Sequence, residues 1–522
     1  MSGLFEKKVE RDVRRQERVD KEMRDKKKTR TVAIIVTAVL LVVFAAAIFV
    51  NSAYARRTLT AISFNGTNFS SAEYDYFYAS TVEEYTNFVN ESGGGSLPAD
   101  DRPHSSQIYD GSTGETWADF FHGMTQSRLS EMVAMYTAAN NDPNYTLPAE
   151  EYETIDQSID SIKQSAAFSN VSFNRFVEFS FGAPLNEKSL REVLEFVSIV
   201  YDYRDYRFNA LTYTPEQTEA RYLELEDDYD QFTYRTLFIG INDVYDFEPT
   251  ESFFDAEEPA MDALRDAAEE FVYYIDIEED FINSANEFFL YSAMESEFDI
   301  EGFEGFDGDD RTLRVESGIE LNEAYKDWML DETREYGDLN TFEVSDDLNS
   351  GIHIVYFIER DDNSYHLAEM RQILILRETF AQIEEFGEEL DFETQDTMAS
   401  LKAQTVLTEF ELAGHTEEAL IEMMETYSDD WTEGGLYTGI YKGMMVPEID
   451  EWLFEEGRAI GDYEMVRTEA FGYHFLYFTG FGETFRSVVG EAELRNADHQ
   501  EWVDSLERKE PVTHWALILS SY

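Results

Sequence analysis

The 522 residues carry 109 Asp and Glu against 40 Lys and Arg, no cysteine, and many aromatics, with 31 Tyr and 40 Phe. That balance argues against nucleic acid as a partner, because phosphates meet repulsion instead of neutralisation. The missing thiols exclude disulfides, thiolate metal sites, a cysteine nucleophile and a lipidated N-terminal cysteine.

The charge is unevenly spread. Residues 1–30 hold 12 Lys/Arg and 7 Asp/Glu, which leaves 28 basic and 102 acidic residues beyond them. This basic segment leads into residues 31–50, TVAIIVTAVLLVVFAAAIFV, a run without a single charge. At 1.5 Å per residue a helix of that length matches the ~30 Å hydrocarbon layer, so one transmembrane helix is expected. Basic residues crowd its N-terminal side and only Arg56 and Arg57 follow closely. The positive-inside bias then keeps residues 1–30 cytoplasmic and places the bulk of the chain outside, on a cell-membrane anchor. The competing reading is a secretory leader cut after Ala55 in Ala53-Tyr54-Ala55, although the apolar run exceeds the ~7–15 residues usual for one.

Residues 58–230 read as a helical domain. Ile62-Ser63-Phe64 before Asn65-Gly66 predicts a short hairpin, because Asn-Gly suits a type I′ turn. Ser70 and Glu73 have capping-box spacing ahead of an aromatic helix through Tyr74, Phe77 and Tyr78. Gly93-Gly94-Gly95-Ser96 predicts a loop. Apolar residues then recur at three- and four-residue steps, as in Phe173, Phe176, Phe179 and in Val193, Phe196, Val197, Val200. Helix starts are marked at Leu147-Pro148 and at Thr214-Pro215-Glu216-Gln217, which puts Pro at the first helical position. The aromatic stripes are either plain core or the lining of a groove for unfolded peptide.

After Gln231 an internal repeat appears. Tyr234-Arg235-Thr236-Leu237-Phe238-Ile239 parallels Met370-Arg371-Gln372-Ile373-Leu374-Ile375, Trp328 parallels Trp452, and Gly351-Ile352-His353 parallels Gly472-Tyr473-His474. Two α+β modules in tandem are expected, over 231–361 and 365–481, each built as edge strand, helices, a helix with Trp, and a closing strand. Residues 485–522 predict an amphipathic helix with Trp502 and Leu506, followed by a strand at Trp515 to Leu519. This segment is expected to return to the helical domain.

Four segments of the second module carry a family resemblance in order: Arg371-Gln372-Ile373-Leu374-Ile375, Tyr427-Ser428-Asp429-Asp430 with Gly434-Gly435, Lys442-Gly443-Met444-Met445-Val446-Pro447-Glu448, and Gly472-Tyr473-His474. Together they resemble the parvulin (PpiC-like) family of peptidyl-prolyl isomerases over residues 366–480. The wider layout resembles the SurA and PrsA foldases, which join a helical chaperone region to parvulin modules and a returning C-terminal helix. The resemblance implies an α+β fold with a SurA N-like helical region and a degenerate first module, since that module has Thr236 at the first histidine position.

Parvulin chemistry needs no nucleophile, metal or cofactor. An X-Pro bond has a barrier of about 20 kcal/mol, lowered by a pocket for the ring and polar groups that favour the twisted amide. The resemblance implies Met445 and Ile449 in the proline pocket with Tyr437 beside them. It also implies Asp430 next to the carbonyl, and His474 in the hydrogen-bond network beneath. Gln372 replaces the second histidine of that network and Ile449 the usual Phe, and a Gln cannot titrate. Whether the chain is an enzyme is therefore open. The expected function is a membrane-anchored extracytoplasmic prolyl isomerase and chaperone for newly secreted, unfolded polypeptides. The alternatives are an inactive holdase on the same scaffold, or an accessory subunit of an envelope complex. A homodimer is compatible with the sequence. No nucleotide or zinc motif is present, and Gly305-Phe306-Asp307-Gly308-Asp309-Asp310 lacks EF-hand spacing and reads as a solvated loop.

Overall fold

The computed structural model describes residues 34–50, 52–99, 101–244, 253–295, 311–344, 350–381, 390–430 and 433–520. The chain is mixed helix and strand, and it divides into two compact units: residues 1–212 with 497–522, and residues 213–496. Among the described residues no helix is long and apolar enough to cross a membrane. This overturns the transmembrane reading of residues 31–50. The described helical run is 34–50, and at 1.5 Å per residue it reaches about 25 Å, short of the ~30 Å layer. The acidic segment from Gly305 to Asp310, expected as a solvated loop, lies outside the described residues.

In the first unit, β1 (Thr60–Phe64) and β2 (Thr67–Ser70) form the expected hairpin, with Asn65 and Gly66 both at positive φ. The Ser70–Glu73 capping box starts α1 (Ser71–Ser92), because each side chain satisfies the other residue's orphan backbone N–H. α2 (Trp117–Asn141), α3 (Ala149–Phe168), α4 (Phe173–Phe181) and α5 (Glu187–Asn209) complete the helical layer. Edge-to-face contacts among Phe69, Phe77 and Phe196 tie the hairpin and α1 to α5 at 5.4–5.9 Å. Most of the aromatic stripe is core, but Phe168 and Phe179 are 95% and 87% exposed.

The C-terminal segment belongs to this unit from Ala497 onward. Val512–Thr513 adds a strand to β1. The strand expected at Trp515 to Leu519 is instead a 3-10 turn, in which Leu517 N–H bonds to His514 C=O. Sheet pairing is used up one step earlier, and local i→i+3 bonds satisfy the backbone that follows. Asp75 on α1 is fully buried, paired with Arg56 and bonded by the Ser520 hydroxyl.

The second unit opens with α6 (Pro215–Leu223), started by the Thr214–Gln217 capping box with Pro215 at the first helical position. Two four-stranded antiparallel sheets follow. The first contains β3 (Gln231–Gly240), β4 (Leu313–Ser317), β5 (Leu339–Val344) and β6 (Gly351–Asp361), in the order β4-β3-β6-β5. The second contains β7 (His366–Leu376), β8 (Leu436–Ile440), β9 (Tyr463–Thr468) and β10 (Gly472–Thr484), in the order β8-β7-β10-β9. The strand order is the same in both. The opening strand of each repeat is interior, not the edge strand expected, because both of its sides carry partners.

One face of the first sheet packs on α7 (Phe253–Tyr273) and α8 (Glu278–Glu295), and its other face on a short helix, α9 (Lys326–Met329). One face of the second packs on α10 (Phe392–Ala413) and α11 (Glu417–Tyr427), its other face on α12 (Pro447–Phe454). The last helix, α13 (Phe485–Ser505), follows β10. The connection from β6 to β7 is short and held from several directions. Asn363, 1% exposed, donates to Tyr222 Oη at 3.0 Å and to Tyr229 C=O at 2.8 Å. Tyr222 in turn donates to Asp230 at 2.9 Å, and Arg360 reaches the same carboxylate at 2.7 Å.

Candidate active site

Strand alternation puts Gln372 and His474 on one face of the second sheet. Gln372 lies opposite Leu476, and His474 opposite Leu374, so the two polar residues stand diagonally across β7 and β10. Both are nearly inaccessible, at 7% and 4% exposure. Buried polar groups need partners, and here every one is traceable.

The segment before β8 brings in the carboxylate. Asp429 N–H bonds to Leu374 C=O at 2.7 Å, while Leu374 N–H donates to Ser428 Oγ at 3.1 Å and Leu376 N–H to Asp429 Oδ2 at 3.0 Å. Docked this way along β7, the segment sets Asp430 over Gln372. Gln372 Nε2 donates to Asp430 Oδ2 at 3.2 Å, and the Tyr437 hydroxyl donates to the same oxygen. The Gly434–Gly435 turn that follows has positive φ at both residues. A Cβ on Gly435 would stand 2.6 Å from Gln372 O and 2.3 Å from Met424 Sδ, so only glycine lets the turn lie this close. Arg371 holds the turn by donating to Gly434 C=O at 2.6 Å, and it pairs with Glu417 at the same distance.

On the other side, His474 Nδ1 meets Gln372 Oε1 at 2.9 Å and His474 Nε2 meets Thr468 Oγ1 at 3.0 Å. Gln372 Oε1 can only accept, so the proton sits on Nδ1 and Nε2 accepts from the threonine hydroxyl. Burial pushes the His474 pKa down to about 4, against the opposing pull of Glu448 and Asp430. The ring is neutral at physiological pH. The resulting chain runs in one direction, from Thr468 through His474 and Gln372 to Asp430, with Tyr437 joining at the carboxylate. Thr468 is a member that sequence reasoning missed. Its only signal is its place four residues before Gly472, where its hydroxyl also receives the Phe471 and Gly472 N–H groups at 3.4 Å.

Tyr437, Met445 and Ile449 join one apolar cluster with Leu476, Phe478 and Trp452 on this face of the sheet. Tyr437 and Met445 are half-buried, whereas Ile449 is 3% exposed and is part of the floor rather than the rim. The six residues singled out in the sequence thus come together, four through hydrogen bonds or their direct neighbours and two through apolar packing. Neither Gln372 nor neutral His474 can transfer a proton near neutrality. What the cluster can do is hold an oriented carboxylate and a phenol beside a partly open apolar surface.

The first module keeps the same diagonal, with Thr236 two residues before Phe238, which lies opposite His353. The threonine is too short to rebuild the chain. Nδ1 of His353 finds no hydrogen-bond partner in the described structure, and the ring instead packs on Phe238 at 4.7 Å and Tyr325 at 5.4 Å. Among the described residues no group of three or more His, Asp or Glu could hold a metal ion.

The chain is similar to a bacterial prolyl isomerase. One solved structure it matches is the peptidylprolyl isomerase PrsA from Bacillus cereus, with 13% identity, 77% of this chain and 87% of that chain covered, and a TM-score of 0.17. No protein-family model and no curated protein matches. At that identity and score the likeness assigns no role to any residue, and the site stands on the chain's own geometry.

Proposed function

We propose that the chain is a parvulin-type prolyl cis-trans isomerase with chaperone character, acting on unfolded, newly secreted polypeptides. The observation that carries this reading is the directed hydrogen-bond chain that ends on Asp430 beside Tyr437 and Met445. A planar amide places partial negative charge on its oxygen through resonance, and twisting withdraws that charge. An oriented carboxylate beside the carbonyl disfavours the planar form relative to the twisted one, which lowers the barrier. Tyr437, Met445 and Ile449 supply the apolar surface for the ring. Gln372 serves here as a positioning residue, since only its two hydrogen bonds are required of it. The basic residues 1–30 ahead of the uncharged apolar run 31–50 favour work outside the cytoplasm.

The test is isomerisation of a proline peptide by the full chain, with Asp430→Ala and His474→Ala as controls. We expect acceleration above buffer that falls at least tenfold in both variants. A rate equal to buffer, unchanged by Gln372→His, rejects the isomerase reading. A second reading, a holdase that binds chains without turnover, is favoured by the non-titrating Gln372 and by the exposed rings of Phe168 and Phe179. Suppressed aggregation of an unfolded client, lost in a Phe168→Ser/Phe179→Ser variant, would support it.

A further inference from the structure

The loop that carries Met445 runs from Tyr441 to Val446 between β8 and α12. The Lys442 backbone N–H donates to Tyr365 Oη at 3.2 Å. Gly443, turning at a φ of +83°, donates its own N–H to Asp450 Oδ1 at 2.9 Å. The Lys442 ammonium pairs with Asp361 Oδ2 at 2.5 Å and lies over the Tyr365 ring, 4.6 Å from its centre. Asp361 is the last residue of β6, the closing strand of the first module, and Tyr365 directly precedes β7. The pocket loop of the second module is therefore tied to the connection between the modules.

A lysine–carboxylate pair at the surface contributes little by itself, because water screens it and both side chains lose freedom. Here both partners of Lys442 are held independently of it. Asp361 Oδ1 accepts the Asn363 N–H at 2.9 Å, which leaves Oδ2 for the ammonium. The Tyr365 ring packs edge-on against Phe454 at 5.5 Å and stacks on Phe485 at 5.6 Å, while the Phe485 N–H donates to Tyr365 C=O at 3.0 Å. Three contacts from two residues thus converge on Lys442, three positions before Met445. Beyond that anchor Met444 is exposed and Met445 only half-buried, so the loop's own packing holds it lightly. A binding surface is only as well placed as the residues that support it.

We propose that Lys442, Asp361 and Tyr365 are positioning residues for the proline pocket, which they complete by setting the Met445 loop against Ile449 and Tyr437. The inference rests on the Met445 surface being the proline site. It gives the first module a task in the reaction, although its own Thr236 and His353 build no chain: its closing strand ends in the carboxylate that places the pocket of the second. The three residues act on ring binding and not on the Asp430 carboxylate, so their loss weakens the ground state and the transition state alike.

The test uses the full chain with Asp361→Asn, Lys442→Met, the two combined, Lys442→Arg and Tyr365→Phe. Asp361→Asn keeps an oxygen for the Asn363 N–H and removes only the charge, and circular dichroism confirms that each variant folds. Isomerisation of a proline peptide is measured beside the isotope-labelled methionine methyl resonances, with that of Met445 assigned by Met445→Leu. We expect Asp361→Asn and Lys442→Met each to raise KM about fivefold with kcat within about twofold of wild type. The double variant should be no worse than either single one, and Lys442→Arg should retain the wild-type KM. The Met445 resonance should move in Asp361→Asn and in Tyr365→Phe, while remote methionines such as Met132 stay in place. An unchanged KM, a loss confined to kcat, or effects that add in the double variant overturn the proposal wherever the wild type turns over. Where the wild type does not turn over, the isomerase reading falls and the resonance alone decides. A displaced Met445 signal then keeps the anchor, and an unmoved one rejects both.

Discussion

Gln372 Oε1 accepts the Nδ1 proton of His474 at 2.9 Å, while the other end of the same amide donates to Asp430 at 3.2 Å. The amide cannot be reversed, since its oxygen would then face the Asp430 carboxylate, which can only accept. One side chain thereby fixes both the histidine tautomer and the carboxylate orientation.

Replacing it should cost stability as well as order. Gln372→Leu leaves the buried Nδ1–H of His474 without an acceptor, for a loss of about 1–3 kcal/mol in urea unfolding. Gln372→Glu keeps the shape but sets a carboxylate against Asp430. It should be less stable than wild type at neutral pH and recover as acid protonates the pair.

The depressed His474 pKa gives a pH signature. The unfolded ring titrates near 6.5 and the folded one near 4, so the unfolded state binds more protons between these values. Stability rises with pH wherever that holds, so the contribution is complete above about pH 6.5 and is lost as pH falls towards 4. It amounts to about 3 kcal/mol at most. Chemical denaturation of wild type and His474→Asn across this window should show a steeper loss in wild type. The isomerisation rate should carry no histidine limb between pH 5.5 and 8.

Gly435→Ala tests the turn over Gln372. Its Cβ would meet backbone oxygen at 2.6 Å at a φ of +56°, and we expect a loss of about 2–3 kcal/mol. Gly439→Ala is the control, since its φ of +70° carries similar backbone strain but nothing stands within 4 Å of its Cβ. The difference between the two in thermal unfolding isolates the steric part.

In the first unit, Asp75→Ala removes a fully buried carboxylate from Arg56 and the Ser520 hydroxyl. Breaking one side of such a pair should cost about 3 kcal/mol. Removal of residues 514–522 should destabilise the same unit, because Ala516 C=O accepts from the buried Ser71 hydroxyl. Proteolysis of the helical unit at moderate temperature reads both.

Local chemistry was legible wherever a short segment decides its own conformation. The capping boxes at Ser70 and Thr214 and the Asn65-Gly66 turn depend on neighbours three residues apart or fewer, and the structure forms each. Pairing choices were not. The opening strands read as edges, although Ile373 and Ile375 on one face and Met370 and Leu374 on the other already mark β7 as covered on both sides. Trp515 to Leu519 has strand composition, and only the position of its neighbours turns it into a 3-10 turn. For the site, period-two alternation was enough to put Gln372 and His474 on one face. Thr468 was invisible because its role depends on a hairpin register that no local pattern encodes.

Asn363 has a consequence for how the second unit comes apart. It lies between two sheets of identical strand order, yet it is bonded backwards to Tyr222 and Tyr229. Tandem copies strung on an open tether melt independently, each with its own calorimetric peak. Here the join itself is a buried polar cluster that loses its partners when either neighbour loosens. The repeats should therefore share one heat-absorption transition, which Asn363→Ala would split into two.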